Sequence, residues 1–142
     1  MARQATGPLA PKDIDERFAE AARTLRRLPD EKPQGYFNTW PAIVRTRWEI
    51  MAMQPQPMRF SASPRAIDNM DECFGWLFWL EADEARVVWM RAEGMRWKPI
   101  CRQLGIGRAT AWRWWMTALI KISHRLAVDD RARLAKARKR TS

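Results

Sequence analysis

Apolar positions recur at three- and four-residue steps along most of this chain, which is the signature of amphipathic helices. Ile14, Phe18, Ala21, Leu25 and Leu28 form one such stripe. Asp13, Asp15 and Glu16 stand in the first turn of that predicted helix and Arg26 and Arg27 in its last, as the helix dipole favours. Pro29 ends it. Residues 29–40, with Pro33 and Gly35, read as a loop, and Trp40-Pro41 opens a second helix over 41–53. The stretch QPQPMRFSA at 54–62 has two prolines and no periodicity, and reads as a linker. Ser63 as cap and Pro64 in the first helical position start a third helix that runs to Leu80. Ile67, Met70, Phe74, Leu77 and Phe78 make its apolar face, broadened by Trp76 and Trp79. The acidic run Glu81-Ala82-Asp83-Glu84 starts a fourth helix, which contributes Val87, Val88 and Met90 to the interior and closes at Glu93-Gly94. Nothing in the chain alternates with the period of a strand, so the expected fold class is all-α.

Residues 94–115 read GMRWKPICRQLGIGRATAWRWW. Gly94 suits a left-handed helix end, Lys98-Pro99 begins a short helix with Ile100 and Leu104 inward, and Gly105 is a turn glycine followed by a buried Ile106. A last helix begins at Gly107-Arg108. At about 100° per residue its Ala111, Trp114, Trp115, Ala118 and Ile122 share one inward arc. Met116 and Ile120 face outward, and Arg108, Ala109, Thr110, Trp112 and Arg113 gather at the exposed N-terminal end. A short helix, a glycine turn and a second helix entered through its N-terminus is how a helix-turn-helix sets its recognition helix in the DNA major groove. The expected architecture is therefore N-terminal helices packed on a C-terminal helix-turn-helix with a long recognition helix. The divisions are a flexible arm (1–12), an N-terminal helical region (13–80), the helix-turn-helix region (81–128) and a basic tail (129–142).

Charge sharpens this picture. The net charge is +10, yet residues 1–80 hold 11 Lys/Arg against 10 Asp/Glu, while residues 81–142 hold 15 against 6. An excess confined to the half that carries the two-helix motif is the electrostatic footprint expected of a nucleic-acid binder. The last twelve residues alone have six Lys/Arg and no acid. They read either as a solvated, partly disordered tail or as a phosphate contact. With 46% apolar residues and nine Trp, the chain has material for an aromatic-rich core. No apolar run approaches the roughly 18–20 residues of a membrane span. The N-terminus has no apolar signal core, so a cytoplasmic protein is expected.

The candidate base readers are Arg108, Thr110, Trp112 and Arg113. An Arg can take guanine O6 and N7 together, and a Thr can meet a thymine methyl or a phosphate. Trp112 lies at the edge of the inward arc, between core and contact; Trp114 and Trp115 fall inside it, which favours core over stacking on unpaired bases. Arg96, Lys98, Arg102 and Lys121 flank the motif as candidate phosphate ligands, which position without specifying. No enzyme is expected, because no nucleophile–base set, Gly-rich phosphate loop or His/Cys ligand spacing is present. Cys73 and Cys101 lie far apart and read as reduced, mostly buried thiols, and no metal or cofactor is implied.

The segment EARVVWMRAEGMRWKPICRQLGIGRATAWRWWMTALIKI resembles the C-terminal helix-turn-helix of sigma-factor region 4. Gly107 departs from the Ser or Thr cap common there, and Ala109 and Trp112 stand where that region often has polar readers. Through PQGYFNTWP, SPRAIDNMDE, WLFWLE and RAEGMRWKPICRQLGIGRATAWRWW, residues 13–128 also resemble a family of short bacterial and phage proteins, domain of unknown function family 6362. That second likeness implies a DNA-binding fold and no established activity. Together these features lead to the expectation of a sequence-specific double-stranded DNA-binding protein, a phage- or prophage-type transcriptional regulator. Its partners would be DNA, RNA polymerase or a second copy of the chain, the last two served by helices one to three; the stripe Ile14–Leu28 could join that surface, with packing inside the molecule as its default. The competing expectations are a ring-forming small terminase-like DNA-packaging protein, and a protein-interaction module that binds no DNA.

Overall fold

The computed structural model describes residues 9–28, 37–53 and 62–141. Every regular element in them is helical: α1 (Pro11–Arg26), a short 3-10 turn (Phe37–Thr39), α2 (Ala42–Ala52), α3 (Pro64–Leu77), α4 (Ala82–Ala92), α5 (Trp97–Leu104) and α6 (Arg108–Thr141). The fold is all-α. Residues 1–8, 29–36, 54–61 and 142, which include most of the predicted arm, first loop and linker, lie outside the described residues.

Local chemistry explains most of the helix starts. Pro11 occupies the first turn of α1, where its missing N–H costs nothing, and the Asp13 carboxylate takes the Ala10 N–H at 3.0 Å. The helix therefore begins two residues before Asp13. Residues 9–12 are not part of a free arm: Leu9 packs against the core, and its carbonyl accepts the Ser123 hydroxyl. Ser63 caps α3 by accepting the Ala66 N–H at 3.1 Å. In α4 the Glu84 carboxylate returns to the Glu81 N–H at 3.0 Å.

The stripe read from the sequence is the spine of the core. Ile14 and Phe18 are fully buried, with Ala21, Leu25 and Leu28 close behind. That stripe is consumed inside the molecule and is not available as a surface for a second copy or a polymerase. α1 lies against α3, α4 and α6, and the shared interior takes Val44 and Trp48 from α2, Met70, Cys73 and Phe74 from α3, Val88 and Trp89 from α4, and Ala118, Leu119 and Ile122 from α6. Residues on both sides of position 80 thus belong to one core. Its centre is aromatic, as nine Trp suggested: Trp40 meets Phe74 at 5.3 Å between ring centroids, and Phe74 meets Trp89 at 5.7 Å. Polar ties cross between helices at its edge. Arg17 pairs with Glu72 at 3.1 Å and covers Trp76, Arg47 meets Glu93 at 2.7 Å, and Arg125 lies over Trp79 at 4.6 Å.

Three expectations need correction. α3 ends at Leu77, and tight bonds from the Phe78 and Trp79 N–H groups to Gly75 and Trp76 turn Phe78 out, leaving it 62% exposed. Phe78 then borders an open apolar recess with Pro41, Ile43, Leu77 and Leu80. Ile106 is half-buried rather than buried, and it joins neither of the two apolar cores of the described residues. Finally, residues 129–141 are the continuation of α6, not a disordered tail. Ala, Lys and Arg are strong helix formers, and the cations Arg138, Lys139 and Arg140 sit in the last turn, where the helix dipole favours them.

Candidate nucleic-acid interface

The segment from α4 to α6 is shaped by two glycines. Gly94 (φ 87°) ends α4: its N–H reaches the Arg91 carbonyl and the Met95 N–H reaches that of Met90, at 2.9 and 3.1 Å. Gly105 (φ 67°, ψ 35°) ends α5 in the same way, with the Ile106 N–H bonded to the Cys101 carbonyl at 3.1 Å. Both lie in the left-handed region that disfavours other residues by about 1–2 kcal/mol. Gly107 then opens α6, its carbonyl accepting the Ala111 N–H at 3.0 Å.

Beneath this unit lies a second, smaller core of Val87, Met90 and Ile100, flanked by Met95, Trp97, Leu104, Trp114 and Trp115. Trp114 and Trp115 are thus packing residues, as the wheel indicated. Trp97 and Arg91 were not anticipated. The Arg91 guanidinium lies 4.6 Å from the Trp97 ring centre and 5.7 Å from that of Trp115, and the two indoles meet edge to face at 5.6 Å. Arg91 also donates to the Met95 carbonyl at 2.9 Å. Cation–π contact across different helices leaves no periodic trace, so spacing alone could not show it; an Arg at a helix end near two Trp is the only hint.

Asp15 of α1 faces this cluster. Burial raises its pKa above the ordinary 3.8, with Glu16 adding to the rise; Arg91 and the Trp115 indole N–H oppose it. The indole favours the charged carboxylate from nearby but makes no hydrogen bond of normal geometry. Because the folded state holds the Asp15 proton more tightly than the unfolded chain, this group's contribution to stability is present at low pH. It is lost as pH rises from 3.8 through the raised value. Asp15→Asn is therefore expected to raise the melting temperature at pH 7, with the advantage shrinking below pH 3.8. A variant less stable than the parent at pH 7 would show that Arg91 outweighs burial.

The four predicted base readers come together on the first two turns of α6. Arg108 and Arg113 are exposed, Trp112 is 49% exposed, and Thr110 is half-buried. Arg113 Nη2 donates to Thr110 Oγ1 at 3.4 Å, a long bond that steers the guanidinium toward the helix N-terminus. Trp112, ambiguous on the wheel, stays outside both cores. Arg96, Lys98 and Arg102 are exposed on α5 and its cap, and none forms an ion pair with a described residue. Lys121 departs from this group. Its Nζ bonds both Glu84 oxygens at 2.8 and 2.9 Å, tying α6 to α4. It also lies about 12 Å along the axis beyond Arg113. It is better placed to hold α6 than to meet a phosphate.

Taken together, the molecule is an all-helical protein with one main core and a separately cored two-helix unit that presents exposed arginines at a helix start. The chain belongs to the family described as Domain of unknown function (DUF6362), whose profile matches residues 26–122. Neither the curated proteins nor the solved structures contain a match. Among the described residues no helix is long and apolar enough to cross a membrane.

Proposed function

We propose that the protein binds double-stranded DNA sequence-specifically, with α5, the Gly105 turn and α6 acting as a helix-turn-helix of the sigma region 4 kind. The observation that carries this reading is the start of α6. Arg108 and Arg113 are exposed there beside Thr110 and Trp112, on a helix end fixed from behind by its own small core. In this reading Arg113 is the chief base reader, Arg108 and Thr110 assist it, and Trp112 meets the groove wall or a thymine methyl. Arg96, Lys98 and Arg102 hold phosphates. The biological role we assign is that of a phage- or prophage-type transcriptional regulator in the bacterial cytoplasm, with RNA polymerase as a candidate partner.

Selection of bound duplexes from a random pool, repeated with Arg113→Ala, tests the reading. The parent is expected to enrich a defined site. The variant should lose about 1–3 kcal/mol on that site and little on random duplex. Equal losses on both would remove Arg113 from base reading, and failure to enrich any site would remove the sequence-specific function. Mass measurement in solution separates the packaging reading, which requires a ring.

A further inference from the structure

α6 continues far past the part that the cores hold. It is 34 residues long, about 51 Å, and residues 131–141 are all exposed. Its outer face carries a second apolar line. Trp112, Met116, Ile120, Ala127 and Leu134 fall within an arc of about 80° on a helix of about 100° per residue. Ile120 is 52% and Leu134 61% exposed. Ile120, Ala127 and Leu134 are spaced by seven residues, the repeat with which one helix packs along another. Arg131 and Arg138 lie beside this line, Asp130 stands at its other edge paired with Arg133 at 3.2 Å, and Lys136 and Arg140 lie on other faces of the helix.

Three occupants can be compared. A second copy is disfavoured by charge: α6 holds ten Lys/Arg and two Asp, so pairing it with itself sets like against like in either direction. The duplex held by the start of α6 is disfavoured by reach. Arg131 lies about 27 Å and Arg140 about 40 Å along the axis beyond Arg113. The major groove is only about 8.5 Å deep, so a straight helix anchored by its first turns has left the duplex by then. Phosphates also have no use for Ile120 and Leu134. An amphipathic helix with acidic flanks satisfies both the apolar line and the cations.

We propose that the outer half of α6, from Ile120 to Arg138, is a docking arm for an acidic amphipathic helix of a partner protein. The reach argument rests on the DNA-binding reading; the apolar line and the charge do not.

The test uses the full chain without DNA. The probe is a fluorescent four-heptad peptide with Leu at the core positions and Glu beside them, set against a peptide of identical composition with its leucines scrambled. The patterned peptide is expected to bind at least about tenfold tighter than the scrambled one. Leu134→Glu and the pair Arg131→Ala/Arg138→Ala should each abolish that preference. Both changes fall on exposed positions, and an unchanged circular-dichroism melt verifies the fold. Arg113→Ala should leave peptide binding untouched, so failure of the DNA reading and failure of the arm are separately visible. Equal binding of the two peptides overturns the proposal, because charge alone would then suffice. So does concentration-dependent self-association lost in Leu134→Glu, which would make the occupant a second copy. Loss of duplex affinity in the Arg131/Arg138 variant likewise overturns it, by making the occupant DNA.

Discussion

Ile100→Ala is expected to cost about 2–5 kcal/mol, a large part of the roughly 5–15 kcal/mol that holds a domain of this size. Ile100 is fully buried at the centre of the small core, between Val87 and Met90 of α4 and the Trp residues of α6. Deleting its outer methyl and methylene groups leaves a void that α5, only eight residues long, cannot close by moving as a unit. The melting temperature should fall by roughly 6–20 °C, taking about 3–4 °C per kcal/mol for this chain length. DNA binding should fail at temperatures where α1–α4 still melt cooperatively, because α5 and the Gly105 turn lose their register first. Arg113→Ala, on the exposed face, should leave the melt unchanged. A melting temperature for Ile100→Ala within a degree or two of the parent would mean that this core does not fix the two-helix unit.

Raising salt from 50 to 200 mM is expected to weaken duplex binding by about 40-fold. Three phosphate contacts, from Arg96, Lys98 and Arg102, each contribute about −0.9 to the slope. Six to ten contacts would give about 10³–10⁵. The smaller figure is expected because Lys121 is committed to Glu84 and the cations beyond residue 130 would stand off a duplex held by the start of α6. Fluorescence anisotropy across a salt series measures the slope. A slope near zero removes DNA as the ligand, and one steeper than about −6 brings the outer half of α6 onto the phosphates.

Much of the fold was legible because helical periodicity registers burial directly. The stripe from Ile14 to Leu28, the Ser63-Pro64 start, Gly94 and Gly105 each encode a local requirement, and the structure meets each one. What was not legible depends on residues far apart in the chain. Glu84 and Lys121 are 37 residues apart, and only the packing of α6 on α4 brings them together. The Arg91 contacts with Trp97 and Trp115 arise in the same way. The run from 129 to 141 misled for a different reason. A block of cations reads as a solvated tail, yet its Ala, Lys and Arg also favour a helix, and an established helix extends more easily than a new one nucleates. At the candidate interface periodicity placed Arg108, Thr110, Trp112 and Arg113 together at the start of α6, but it did not show that Lys121 was already engaged by Glu84.

The two cysteines have a practical consequence. Cys73 is fully buried, its thiol is held toward the Arg17 carbonyl, and burial pushes its pKa up to about 12. At mildly alkaline pH it stays protonated and unreachable, so a maleimide should modify it only on unfolding. Cys101 is half-buried on α5, at the carbonyl that receives the Ile106 N–H in the turn. The natural chain therefore carries a single addressable thiol next to the start of α6. A dye placed there would report occupancy of that end, with no cysteine needing to be added or removed.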